Sequence, residues 1–332
     1  MSWDPQAEYL AGLVGAYDDP AASERFDRLV FSQGMSPNGG TVCATYGLSG
    51  AGEGKLSPLW HYIEKVFPGS LPASAQQRGD CVAHSTRNAC LGTLACEIAA
   101  GTPDEVTGLL EGAPQVSTKA REDGVLAVSP IYWWRGHSGH GWNCEHSAEV
   151  VMSQSGLWLR KNYPELGFDL TEYSGRMTER WGRTPPPAEV EAFGQEHLVR
   201  TATRANTFVE VRDLLANGYA ITSCGGESFS NDRDENGVSE RTRQGWAHAM
   251  AYLGVDDRPE IHAQYGEPLV LVQNSWGQWN RGGRRVLGTS LDIPHGAFWA
   301  RWSDLERRRA IAFSGVYGWP AQQLPDWTGG VL

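Results

Sequence analysis

The chain has 332 residues, 40% of them hydrophobic and 20% charged, an ordinary composition for one large globular domain or two smaller ones. Its 28 Lys and Arg against 39 Asp and Glu leave a net charge of −11, which argues against nucleic acid as a partner because phosphate neutralisation needs a basic face. No apolar run reaches membrane-spanning length, so no membrane is expected, and 40 glycines with 14 tryptophans imply a loop-rich fold pinned by aromatic anchors.

Residues 1–70 form a mixed N-terminal extension. Helical periodicity runs through 7–17 (AEYLAGLVGAY) and 22–31 (ASERFDRLVF), whereas 32–41 and 48–57 are turn- and loop-like. A short amphipathic helix follows at 57–69 and ends at Pro68 and Gly69. The first residues carry neither a positive n-region nor an unbroken apolar core, so no secretory signal is expected. The six cysteines, Cys43, Cys81, Cys90, Cys96, Cys144 and Cys224, are few and irregularly spaced, and reduced thiols in a cytoplasmic setting are the expectation.

The stretch 73–90 (ASAQQRGDCVAHSTRNAC) places Gln76 and Gln77 before a polar turn and Cys81 at the start of a helix. A thiolate there is stabilised by unpaired backbone N–H groups and the positive end of the helix dipole. The helix continues through small residues, Ala83, Ala89, Gly92 and Ala95, and ends at Gly101 and Pro103. Residues 102–127 read as a surface excursion, 129–137 as a loop, and 145–167 as a helix followed by a turn at Tyr163 and Pro164. Pro185, Pro186 and Pro187 form a natural hinge. Beyond it a helix ends at Gly218 and feeds a strand. His248 then enters an apolar strand at 245–255, and a second strand at 269–279 ends in Asn274, Ser275, Trp276 and Gly277. The segment 319–332 is Pro/Gly-rich and reads as a surface tail.

Cysteine, histidine and asparagine in that order make a nucleophile, a base and an orienting group. On Gln-x-x-Gly-Asp-Cys at 76–81, Ala-His-Ala at 247–249 and Asn-Ser-Trp-Gly at 274–277, the chain resembles the papain-like cysteine peptidases of the C1 type. The shortened glutamine turn is most similar to bacterial and phage members. The resemblance implies an α+β fold with a helical half at about 71–186, a β-barrel-like half at about 187–305, a cleft between them, and a C-terminal tail at 306–332. Residues 1–70 are expected to pack on the core as an extension, with an inhibitory pro-segment or a partner-docking region as the alternatives, and they do not match the helical pro-segment of the family's zymogens. It implies Cys81 as nucleophile, His248 as base, Asn274 as orienter, Trp276 as a shield over that contact, and a thiolate–imidazolium pair formed before substrate arrives. The oxyanion donor is Gln76 or Gln77, since the family's usual place is Ala75, with the Cys81 N–H as second donor.

Other departures are Val82 in place of a tryptophan, and Arg78 where secreted members carry a disulfide cysteine. Asp80 is expected to point outward and cap the helix, and His84 to pack. His137, His140, Cys144 and His146 match no zinc spacing, and the acidic loop 232–237 lacks a calcium-binding frame, so no metal or other cofactor is expected. The implied activity is hydrolysis of peptide or isopeptide bonds in protein or peptide substrates through a thioester. The alternatives are a catalytically silent papain-fold module, as a component of a virion or other large particle docking through the N-terminal extension, and an amidase or acyl transferase.

Overall fold

The computed structural model describes residues 15–71, 74–101, 124–315, 318–321 and 324. Its helices are α1 (Pro20–Ser32), α2 (Gly39–Thr45), α3 (Leu59–Val66), α4 (Cys81–Ala99), α5 (Ser129–Trp133), α6 (Cys144–Ser153), α7 (Gly175–Trp181), α8 (Ala188–Gly194), α9 (Phe208–Ala216) and α10 (Pro259–Tyr265). The strands are β1 (Leu56–Ser57), β2 (Asn162–Tyr163), β3 (Phe168–Asp169), β4 (Ala202–Arg204), β5 (Ile221–Arg233), β6 (Ser239–Asp256), β7 (Leu269–Gln273), β8 (Arg281–Gly282), β9 (Ala297–Arg301) and β10 (Arg309–Phe313). The architecture is the expected α+β: a helical part packs on a largely antiparallel sheet of order β4-β10-β5-β6-β7-β9.

The centre of the molecule is α4, every residue of which from Cys81 to Glu97 is buried. A helix enclosed on all sides needs partners for its polar side chains. Ser85 meets Thr222 at 2.6 Å, Thr86 meets Ser147 at 2.7 Å, and Thr93 accepts from the Ala220 N–H at 3.0 Å. Gly92 permits the close approach to the sheet, because a Cβ there would stand 2.8 Å from that of Ala220. The register between β5 and β6 pairs Gly225 with His248, and that between β6 and β7 pairs Ala251 with Gln273. His248 and Asn274 therefore emerge on neighbouring strands at the same level of the sheet.

Several expectations need correcting. Cys144 and Cys224 form a disulfide between the start of α6 and β5, leaving Cys43, Cys81, Cys90 and Cys96 free. The premise of wholly reduced thiols fails for that pair. Closing a loop across its 80-residue separation restricts the unfolded chain by about 4–5 kcal/mol in a chain-entropy account. Residues 129–133 are helical, because Pro130 fits the first helical turn. The proline triplet leads directly into α8, with Pro187 at its N-cap.

The strand β10 lies beyond the expected catalytic boundary at 305 yet sits inside the sheet between β4 and β5. At the other end, β1 pairs with β6, and Phe26, Val30, Leu59 and Ile63 are fully buried in the main core. Part of the N-terminal extension thus belongs to the packed body. The helical expectation for 7–17 lies mostly outside the described residues, and the described part, 15–17, is not helical. Of the surface excursion expected from 102 to 127, residues 102–123 are also outside them, and Val125, Leu126 and Ala127 are buried in the body instead.

Candidate active site

Cys81 opens α4 and His248 lies on β6, and both are 0% exposed. The backbone N–H groups of Ala249, Gly15 and Val82 lie close enough to the Cys81 sulfur to favour its charged form. The first places it beside the residue that follows His248. The His248 Nε2 stands 2.8 Å from Asn274 Oδ1, which also accepts from the Ser275 N–H at 2.7 Å. That second bond identifies the atom as the amide oxygen, so Nε2 carries the proton and Nδ1 is the basic nitrogen. Nδ1 has no hydrogen-bond partner among the described residues. Trp276 stacks on the imidazole at 4.8 Å and 28°, and Trp246 and Trp279 pack against Trp276, so water is kept from the amide contact.

Both groups are held neutral. Burial pushes the Cys81 thiol up to about 11, only partly opposed by the three nearby backbone N–H groups, with Asp80 adding to the rise. Burial pulls His248 down to about 3 against the Asn274 hydrogen bond, and the nearby Arg308 charge lowers it further. The expected resting thiolate–imidazolium pair is therefore disfavoured here, because neither charge has access to water.

The chain's own segment 15–17 packs beside the nucleophile turn, with Gly15 against Gly79 and Gly141. The Ala16 N–H donates to Ala247 O at 2.7 Å, Trp142 N–H to Gly15 O at 2.7 Å, and Tyr17 N–H to Trp142 O at 3.0 Å. The segment is held as a short extended strand between the helical part and β6. Nothing in the sequence at 7–17 announces this, since its apolar periodicity suggests a helix.

The two glutamines land differently from expectation. Gln76 is buried and spans the site: its N–H donates to Ser275 O at 2.7 Å, its Oε1 accepts from the Ser275 hydroxyl, and its Nε2 donates to Arg78 O at 2.8 Å. It fastens the loop carrying Asn274 to the turn before Cys81. Gln77 is exposed, and its Oε1 accepts from the Gly175 N–H at 3.1 Å. Neither contact places a glutamine amide beside Cys81.

Asp80 is turned inward, contrary to the expected outward cap, and makes no side-chain cap bond. Tyr173 donates to its Oδ2 at 2.6 Å, and His84 Nε2 lies 3.7 Å away. Burial raises the Asp80 carboxyl to about 7 against the Tyr173 hydrogen bond. The motif search also missed Arg308, whose buried guanidinium donates to His248 O at 2.7 Å and to Ser223 O at 3.1 Å, fixing the backbone of the histidine strand. An arginine among three in a row gives no sign of which one turns inward.

The residues weighed for zinc separate. Cys144 is in the disulfide, His137 contacts Tyr17 at 3.2 Å, and His146 Nδ1 accepts from the Trp142 indole at 3.0 Å. No group of three or more metal-ligating side chains occurs among the described residues. At 232–237, Asp234 Oδ1 accepts from Asn236 and Val238 N–H in a turn.

No protein-family model and no curated protein matches the chain. Among solved structures it is similar to xylellain, a cysteine protease from Xylella fastidiosa, at 14% identity over 80% of this chain and 92% of that one, with a TM-score of 0.45. It is also similar to procathepsin B S9 from Trypanosoma congolense, at 10% identity over 93% and 87%, TM-score 0.46. Bromelain from Ananas comosus in complex with the E64 inhibitor matches at 12% identity over 78% and 98%, TM-score 0.36.

Proposed function

We propose that the chain is a papain-like cysteine peptidase whose resting state is closed by residues 15–17. The observation that carries this reading is the His248–Asn274 pair: an imidazole oriented by a neutral amide at 2.8 Å, with its basic nitrogen unpaired, on the strand whose Ala249 N–H lies close to the Cys81 sulfur. A neutral orienter suits a nucleophile that needs little help to ionise, because a thiol loses its proton far more readily than a serine hydroxyl.

Once the segment is displaced, water and substrate dipoles replace the dry contact. The Cys81 proton passes to His248 Nδ1, and the two charges stabilise each other. The thiolate adds to the substrate carbonyl carbon. The oxyanion that forms faces the first turn of α4, whose Cys81 N–H is a free donor in the sense of any helix start. Collapse breaks the C–N bond, the leaving amine takes the proton from His248, and a thioester remains. Water, deprotonated by the same nitrogen, then releases the acid and restores the thiol. Gln76 enters this scheme as a positioning residue that keeps Asn274 in register with the nucleophile turn. No cofactor is called for.

The test is digestion of a mixed peptide pool at neutral pH by full-length Gly15→Ala, whose added Cβ has no room beside Gly141 and displaces the segment, with products read by mass. The expected outcome is cleavage that adding Cys81→Ala abolishes. Equal product from Gly15→Ala with and without Cys81→Ala would refute the assignment. A second reading, a silent papain-fold binding module, draws on the complete burial of Cys81 and His248. It requires that no peptide be cut even after the segment is displaced.

A further inference from the structure

Three glycines from distant parts of the chain meet over Cys81. The Gly141 N–H donates to Gly79 O at 3.0 Å, and Gly15 lies against both. A Cβ on Gly15 would stand 2.5 Å from Gly141 Cα and 2.9 Å from its nitrogen, and one on Gly141 would stand 2.1 Å from Gly15 O. The obstructing atoms are backbone, so no rotamer change can make room. Gly15 does not have the positive φ that sets Gly141 at +84°, so glycine is needed at 15 for space rather than for backbone conformation.

The position that lacks room for a side chain is the one next to the nucleophile, since Gly15 lies against Gly79, two residues before Cys81, the following N–H donates to Ala247 O beside His248, and the Gly15 N–H lies close to the Cys81 sulfur. The backbone bonds that hold the segment, to Trp142 N–H, Trp142 O and Ala247 O, use groups that any peptide possesses, and the Tyr17 hydroxyl contact with His137 at 3.2 Å lies two residues from Gly15 and excludes nothing by size. Side-chain selection in this channel is therefore concentrated at a single place, walled by Gly79 and Gly141.

Building on the peptidase reading, we infer that the substrates of this site are peptides with glycine seated between Gly79 and Gly141, directly beside the bond that is cut. Residues 15–17 hold the channel because Gly15 meets the same requirement. The class is glycine-containing extended segments, and a single methyl group at that place is enough for exclusion. Trp142 and Ala247 supply the backbone hydrogen bonds that draw such a segment in, and Gly141 sets the width.

The test uses the full-length protein in two arms. In the first, wild type and Gly15→Ala are treated with iodoacetamide at neutral pH and read by intact mass. A Cβ at 15 should expel the segment and speed alkylation of Cys81 by about tenfold or more, with Cys43, Cys90 and Cys96 unmodified as evidence of an intact fold. An unchanged rate would overturn the inference. If those buried thiols also react, the variant has unfolded, and the second arm decides alone.

In the second arm, cleavage sites in a peptide pool are mapped. Every cut bond should have glycine at one constant neighbouring position, and replacing that glycine by alanine should lower kcat/KM by about a hundredfold. Equal cleavage of the alanine peptide would overturn the inference while leaving the peptidase reading intact. Fast labelling of Gly15→Ala without cleavage of any peptide would instead overturn the peptidase reading, and the substrate class with it.

Discussion

His248 and His84 flank Cys81 and are both shut off from water, yet their surroundings differ in kind. His248 has an amide oxygen at 2.8 Å, an indole stacked on its face and one nitrogen unpaired. His84 has a carboxylate oxygen at 3.7 Å, the Arg87 guanidinium at 3.5 Å, and Tyr173 packed edge-on at 4.9 Å. Burial lowers the pKa of both, and for His84 the Arg87 charge adds to it. A short hydrogen bond fixes one ring and its tautomer, whereas packing and two long polar contacts hold the other. Being buried beside the nucleophile does not make a base; being oriented by a neutral partner does.

The largest effect expected from this contrast is catalytic. With the segment displaced by Gly15→Ala, adding His248→Ala should lower peptide cleavage by about 10³-fold, the range for loss of a general base. Adding His84→Ala to the same background should change cleavage per folded molecule by less than about fivefold, because only packing is removed. The check is kcat/KM on one peptide, normalised to the fraction folded by circular dichroism. A loss with His84→Ala as deep as with His248→Ala would erase the distinction.

That contrast also explains what the sequence could and could not disclose. The Ala-His-Ala and Asn-Ser-Trp-Gly motifs were legible because their geometry is set by sheet register, and a strand's alternation is written in its apolar pattern. The β5/β6 and β6/β7 ladders then bring His248 and Asn274 to one level. The turn at 76–80 was less legible. Its side chains are oriented by partners roughly a hundred or two hundred residues away, such as Tyr173 for Asp80 and Ser275 for Gln76, and no local pattern encodes those partners. The disulfide was missed for a related reason. Counting cysteines says nothing about which two the fold brings together, and an odd remainder after setting Cys81 aside hid the pair Cys144–Cys224.

The carboxylate side of the contrast gives a second test, in stability rather than rate. Asp80 is raised to about 7 by burial, against 3.8 for the free group. A raised folded pKa means that the folded state binds the proton more tightly. Its contribution is fully present below about pH 4 and is lost as pH rises to about 7. His248 runs the opposite way: lowered to about 3, it contributes above pH 6.5 and loses that contribution as pH falls. The two trends oppose each other between pH 4 and 6.5, with buried Glu97, raised to about 8, adding to the first and His84 to the second. Asp80→Asn retains an acceptor for Tyr173 and removes one of the two trends. Relative to wild type it should gain stability by up to about 4 kcal/mol between pH 4 and 8. Denaturant midpoints across that range are the measurement, and a difference that stays flat with pH would show that Asp80 does not titrate as a buried acid.

The smallest effect separates orientation from contact. Asn274→Ala removes the amide that fixes the His248 ring but leaves Trp276 stacked on it and Arg308 holding the strand through the His248 carbonyl. The ring keeps its position and loses its preferred tautomer, so Nδ1 carries the proton for part of the time. Measured again in the Gly15→Ala background, kcat should fall about 10- to 100-fold, with KM nearly unchanged, because no substrate contact is lost. Asn274→Gln carries the same amide on a longer arm and should recover only part of that loss. Were Asn274→Ala to raise KM instead, the asparagine would be shaping the peptide channel rather than the base. The resemblance between His248 and His84 would then be closer than their hydrogen bonds imply.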